Sequence, residues 1–251
     1  MKKRLFMASA VASALLLMAG GALAQDKFKI GLILPMTGPF ASTGKQIEAA
    51  ARLYMAQNGD TVGGKKVELI VKDDTSAPDV TKRIAQELVV NDKVNVLAGF
   101  GLTPLALATA PIATQSKTPL VVMAAATSSI TEASPFIIRT SFTVPQASVS
   151  MADWAPNHGI KKVVTLVSDY GPGIDAEKYF KDRFLFNGGQ VVDALRVPMR
   201  NPDFAPLPTK SARSQARCAF CICAFWRGRG VDEAICRARH GQSRYQVDWY
   251  R

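Results

Sequence analysis

The sequence predicts an α/β fold built on parallel sheets, and three observations carry that prediction. Short apolar runs alternate with amphipathic segments of helix length as far as about residue 206. Glycine, proline, asparagine and aspartate fall between them as turn chemistry. The alternation stops once, near residues 136–145, and then starts again. Strands alternating with helices of about 10–15 residues imply right-handed βαβ units. Two runs of such units imply two lobes with a cleft.

The first unit organises the rest. Residues 30–34 are an apolar run that reads as a buried strand, bounded by Pro35. A loop with the hydroxyls Thr37, Ser42 and Thr43 feeds a helix over residues 45–58, where Ile47, Ala50, Ala51, Tyr54 and Met55 share one face. In open α/β sheets solutes sit outside the carboxyl ends of the strands, in loops of this kind. Turn chemistry at residues 59–64 closes the helix, and residues 67–71 form a second strand ending at Lys72-Asp73-Asp74. Ser76 and Asp79 are the candidate cap and first-turn residues of a helix on which Val80, Ile84 and Leu88 recur every four residues. Residues 94–98 are a third strand, and Pro104 suits the start of a helix running to about Ser116. Residues 120–123 are a fourth strand, opening into the small-residue loop 124–129.

A short extended piece at 136–140 and a crossing segment at 141–145 then lead to a helix at 146–157. The second run has a strand at 162–167, a loop at 168–173, a helix at 174–187, a stop at Gly188-Gly189 and a strand at 190–197. Two strands are too few for a complete second lobe.

Both ends of the chain stand apart from this pattern. Lys2, Lys3 and Arg4 precede an apolar stretch over residues 5–18, and Ala22-Leu23-Ala24 supplies a small-residue cleavage site. Residues 1–24 therefore read as a secretory signal peptide, short for a membrane span and followed by no stop-transfer pattern. They contain no cysteine for lipid attachment, so the expectation is a soluble exported protein.

The formal charge of +11 is concentrated at these ends. Residues 25–206 carry 19 basic and 17 acidic side chains, interspersed as on an ordinary solvated surface. The charge gives no argument for a nucleic-acid partner.

Residues 207–251 show neither helical nor strand period, are rich in arginine, and hold all four cysteines, Cys218, Cys221, Cys223 and Cys236. Lysine appears there once, at Lys210. Cys218-Ala219-Phe220-Cys221 with His240 imitates a zinc or redox set but lacks a second pair at ligand spacing. With a suitable choice of codons for residues 231–251, reading one nucleotide later gives SMKQFAERGMDNPGIKLIGT, a helix, a glycine stop and a strand in the grammar of the preceding chain. The expectation is a frameshift near Pro206-Leu207 and an aberrant, disordered tail.

The segments IGLILPMTGPFASTGKQ, KDD at 72–74, GFGLTPLALA at 99–108, AAATSSIT at 124–131, SDYGPG at 168–173 and NPDF at 201–204, taken in order, resemble leucine/isoleucine/valine-type periplasmic binding proteins. These are the solute-binding components of branched-chain amino-acid-type ABC importers. The resemblance covers about residues 1–206. It implies the type I periplasmic-binding-protein fold, with two Rossmann-like lobes: residues 25–143 as the first and 144–206 as a partial second.

It also implies that first-lobe hydroxyls and backbone groups hold an amino acid's carboxylate and ammonium. Matched residue by residue, these are Thr103, the backbone of Ala125, and Thr127. Tyr170 matches the tyrosine that closes from the second lobe. Thr43 falls where the family often places an aromatic wall. The acid that pairs with the ligand ammonium falls beyond residue 206, and no residue there matches it. The resemblance implies no cofactor, and an inner-membrane ABC permease as partner.

Simpler readings exist for each residue. Thr103 and Thr127 suit helix N-caps, Tyr170 suits a packing aromatic in a turn, Asp73 and Asp74 suit turns better than a metal, and His158 before Gly159 suits a helix C-terminus. No phosphate loop and no Ser/His/Asp set is present in the sequence, which holds two histidines.

The functional expectation is thus a non-enzymatic binding protein for a branched-chain amino acid or related small carboxylate, closing about a hinge at residues 141–146. A sensor or receptor ectodomain of the same fold is the alternative, and an enzyme comes third. With a half-formed second lobe, burial does not offset the ordering entropy of that half. The expectation for this copy is a partly ordered first lobe and weak or absent affinity.

Overall fold

A computed structural model describes residues 27–198 and, as backbone, residues 218–222. The signal-peptide expectation lies outside the described residues, as does most of the tail.

The first sheet is six-stranded. Its strands are β1 (Phe28–Leu34), β2 (Thr61–Val62), β3 (Lys65–Asp73), β4 (Val96–Gly99), β5 (Leu120–Val122) and β6 (Ile137–Arg139). They lie in the order β2-β3-β1-β4-β5-β6. Every pair is parallel except β2 with β3, which are antiparallel neighbours. Parallel neighbours joined through helices place the loops after β1, β4 and β5 along one edge. Register fixes this closely: Ile33 pairs with Gly99, and Gly99 with Val122.

Three helices flank this sheet, α1 (Ala41–Asn58), α2 (Pro78–Val90) and α3 (Thr103–Ser116). One face of the sheet packs on α2 and α3 through Ile33, Ile84, Leu88, Leu97, Leu105 and Leu120, all buried. The opposite face, with Leu32, Leu34 and Ala98, is met by Ile47 of α1. The predicted apolar face of α1 is only partly used. Ile47 packs on the sheet, whereas Leu53 and Tyr54 are 57% and 66% exposed. The helix is held down near its start, where Gly44 is buried.

The predicted cap Ser76 is also corrected: Ala77 occupies the cap position of α2, with no side-chain cap bond. Thr75 and Ser76 instead adopt left-handed backbone, at φ 50° and 59°. The Asp73 and Asp74 carboxylates stabilise that turn by accepting from Thr75 N–H and Ser76 N–H, at 2.9 and 2.8 Å. Asp79 does stand in the first turn of α2.

The second lobe opens with α4 (Val144–Asn157) and contains β7 (Lys162–Ser168), α5 (Gly171–Phe186), β8 (Gln190–Val197) and β9 (Cys218–Ile222). Thr143 and Gln146 form a capping box that starts α4. Ala152 and Ala155 of this helix pack with Val163, Phe180 and Phe184 in one buried cluster of the lobe. His158 closes α4 as the sequence predicts, its Nδ1 2.9 Å from the Trp154 carbonyl and its ring stacked on Trp154.

The strands lie in the order β8-β7-β9, parallel throughout, so the second sheet has three strands rather than two. The expectation that no strand lies beyond Pro206 is thereby corrected. Cys218–Ile222 is an uninterrupted apolar run in sequence, and its backbone satisfies the open edge of β7. The remaining tail cysteines Cys223 and Cys236, and His240, lie outside the described residues.

Candidate functional site

The site is built from loops at the carboxyl edge of the first sheet. β4 ends at Gly99 and delivers Thr103 as the first residue of α3. β5 ends at Val122 and delivers residues 123–127, after which a short 3₁₀ helix spans Ser128–Glu132. Because β4 and β5 are adjacent and parallel, both loops leave the sheet side by side. Two backbone bonds join them, from Met123 N–H to the Gly99 carbonyl at 2.8 Å and from Ala125 N–H to the Phe100 carbonyl at 3.0 Å.

Thr103 and Thr127, 24 residues apart in sequence, meet through their hydroxyls at 2.8 Å. Both are buried. Neither acts as the side-chain cap that the simpler reading predicts. Leu102 takes the cap position of α3 without a side-chain bond, and Thr127 precedes the 3₁₀ helix without one either. Ala125 is buried, and its N–H is committed to Phe100. What its backbone offers a solute is therefore a carbonyl acceptor rather than an amide donor.

The second lobe arrives directly over this pair. Tyr170 is the cap residue of α5 in extended conformation. Its neighbour Gly171 lies so close that a Cβ there would sit 3.4 Å from Thr103 Cγ2 and 3.4 Å from Thr127 Oγ1. Tyr170 is half-buried, and burial pushes its phenol well above the ordinary value, so it stays a neutral donor. Thr43 stands in the first turn of α1 on the same sheet edge, half-buried. Among the described residues no hydrogen bond joins Thr43 to the threonine pair.

Three residues complete the arrangement that the sequence did not single out. Arg139 of β6 donates to the carbonyls of Ala126 and Thr127. Asp175 of α5 accepts from Ser128 N–H at 2.8 Å and from Ser128 Oγ–H at 2.9 Å, across the lobes. No local pattern marks these positions, since each bond spans 12 to 47 residues.

A second cluster supports the loop after β1. Burial works against the Asp73 carboxylate, yet donors from Thr37, Thr75 and Met36 together hold it below its ordinary value. Met36 N–H and Thr37 Oγ–H reach it at 2.9 and 2.7 Å. Asp73 is thus a brace for that loop. No group of three or more potential metal ligands occurs among the described residues.

Two lobes of mainly parallel sheet, with buried hydroxyls at the strand ends of one and a helix start of the other laid against them, define a two-lobed solute-binding class. The chain belongs to the periplasmic binding protein family, whose model matches residues 27–230. A Leu/Ile/Val-binding protein homologue from Brucella abortus is 46% identical over 221 residues, covering 88% of this chain and 56% of that protein. A solute-binding protein of an ABC transporter from Rhodopseudomonas palustris BisB5, in complex with 3,4-dihydroxybenzoic acid, is 59% identical with TM-score 0.74. The match covers 78% of this chain and 54% of that one. Another from R. palustris, in complex with 4-hydroxybenzoate, is 46% identical with TM-score 0.76, over 78% and 54% of the two chains. The chain spans little more than half the length of these relatives.

Proposed function

We propose that this chain is an exported solute-binding component of an ABC importer, holding a small carboxylate between its lobes and presenting it to an inner-membrane permease in the periplasm. The observation that carries this reading is the Thr103–Thr127 pair, buried at the sheet edge with Gly171 of the other lobe against both. Hydroxyl donors beside the start of α3 suit a carboxylate, because orphan N–H groups and the helix dipole both favour an anion. Thr103 and Thr127 are the proposed contacts of the carboxylate, and the Ala125 carbonyl accepts from an N–H or O–H elsewhere on the solute. Tyr170 closes over the solute, and Thr43 lines the far wall.

The ligand class we favour is an aromatic carboxylic acid. Its support is the 59% identity to a relative crystallised with 3,4-dihydroxybenzoic acid and the 46% identity to one with 4-hydroxybenzoate. A branched-chain amino acid is the second reading, favoured by the name of the Brucella relative. The two differ in one physical demand: an amino acid brings an ammonium that needs an acidic partner, and a benzoate does not. Asp73 and Asp74 serve their own turn, and Asp175 holds Ser128.

Isothermal titration of the full chain against 3,4-dihydroxybenzoate, 4-hydroxybenzoate and leucine tests both readings. Because β9 gives the second lobe a third strand, the weak or absent affinity expected from the sequence gives way to saturable heat with the aromatic acids, weakened about tenfold or more in Thr103→Val. Saturation by leucine alone transfers the assignment to the second reading. A flat titration with all three overturns the proposal.

A further inference from the structure

We infer that Asp175 is the latch that keeps the second lobe shut on the first, a positioning role that rests on the cleft reading above. One carboxylate takes two bonds from one residue of the opposite lobe: Oδ2 from Ser128 N–H at 2.8 Å and Oδ1 from Ser128 Oγ–H at 2.9 Å. Both are charge-assisted, the stronger kind of hydrogen bond. Ser128 follows Thr127 directly, so the latch closes one residue away from the threonine pair.

The remaining geometry makes this contact selective for the closed state. Gly171 and Asp175 are four residues apart on α5 and therefore share a face. A single movement of α5 brings Gly171 against Thr103 and Thr127 and brings Asp175 onto Ser128. From the first lobe, Arg139 donates to the Ala126 and Thr127 carbonyls and meets Asp175 as an opposite charge. Residues 126–128 are thus held by a cation of their own lobe and an anion of the other. The start of α4 is tied to the same loop, with Val144 N–H donating to the Ala126 carbonyl at 2.9 Å. The segment between the lobes and the latch therefore meet at one place.

Opening the lobes has to break both Asp175 bonds, whereas entry of a solute into the open form does not involve them. Loss of the latch is therefore read in the dissociation rate and not in the association rate. Amide hydrogen exchange at Ser128 reports the contact itself, because that N–H is the donor.

The test compares the full-length wild type with Asp175→Asn, Asp175→Ala and Ser128→Ala. It measures Ser128 exchange (not read in a way that depends on binding) and the on and off rates of 3,4-dihydroxybenzoate. Exchange at Leu97 and Leu166 serves as a control for each sheet. In Asp175→Ala, Ser128 exchange and solute release are expected to rise about tenfold or more, with the on rate and both controls unchanged. Asp175→Asn, which keeps the shape and one acceptor, and Ser128→Ala, which keeps the N–H, are expected to fall between.

Unchanged Ser128 exchange in Asp175→Ala overturns the latch, as does faster exchange with an unchanged off rate. Loss of Leu166 protection in the isosteric Asp175→Asn assigns Asp175 to the stability of the second lobe instead and also overturns it. If the wild type binds none of the probes, the proposed function fails. The Ser128 exchange then still decides whether the latch forms.

Discussion

The two lobes share one device and differ in what backs it. In the first, β1 runs into a loop and α1, and a Cβ on Gly44 would stand 2.2 Å from the Pro35 carbonyl oxygen. In the second, β7 runs into a loop and α5, and a Cβ on Gly173 would stand 1.9 Å from the Ser168 carbonyl oxygen. In each case the helix start can approach the strand end only because the side chain is missing. Behind this shared feature, the first lobe has six strands and a continuous core from Ile33 to Ile137. Among the described residues the second has three strands, one buried cluster of Ala152, Ala155, Val163, Phe180 and Phe184, and Val164, Leu166, Val167, Ala176, Leu195 and Val197 buried besides. Identical local grammar thus yields unequal margins, because burial grows with the number of layers that share it.

Core truncation exposes that inequality most strongly. Phe184→Ala removes a fully buried ring of the second-lobe cluster and is expected to cost about 3–5 kcal/mol. Leu97→Ala in the first lobe is expected to cost about 2–5 kcal/mol. Hydrogen exchange resolves the outcome: the first change abolishes protection in β7 and β8, while the second lowers protection in β1 and β4 without abolishing it. Equal survival of both sheets breaks the comparison.

The two glycines come next. Gly44→Ala and Gly173→Ala each force a methyl onto backbone that cannot move aside, at about 1–3 kcal/mol. Denaturant titration followed by exchange is expected to show local loss in the lobe that carries the change.

Charge separates the lobes with opposite sign. In the first, burial raises the Asp74 carboxyl to about 6, opposed by the Ser76 N–H and assisted by Asp73. The folded state then binds the proton more tightly than the unfolded one. Its contribution is greatest below the ordinary value near 3.8 and is lost as pH rises through about 6. In the second lobe, the hydrogen bond from Arg196 holds buried Glu177 below its ordinary 4.5, assisted by Lys181. That contribution is present above 4.5 and is lost as pH falls. Exchange measured from pH 3.5 to 8 is expected to show the first lobe gaining and the second losing protection toward acid from these groups, and Asp74→Asn to remove the first trend.

The smallest effect lies on the surface. Arg52 pairs with Glu48 along exposed α1 at 2.7 Å, and Arg52→Ala is expected to change stability by less than about 0.5 kcal/mol. A larger change in urea midpoint would mean that α1 is more firmly packed than Leu53 and Tyr54 indicate.

Strand and helix identities were legible where the period was local. The strand read at residues 190–197 is β8 to the residue, and residues 30–34 fall within β1. Thr103 and Thr127 were singled out by the family resemblance, and their contact follows from the adjacency of β4 and β5. Tyr54 was misread because an apolar face states what a helix can bury, not how far it stays on the sheet. Ser76 was misread because two aspartates offered its loop a better set of acceptors than a helix cap.

By itself, then, the chain's order of residues determined an α/β architecture, its strand–loop–helix units and the hydroxyls at the strand ends, since each depends on neighbours within one turn or one pleat. Tertiary structure alone decided that β9 joins β7, that Gly171 lies against the threonines and that Asp175 reaches Ser128. Such contacts exist only after separate elements have packed, and no spacing along the chain encodes the angle at which two sheets come to face each other.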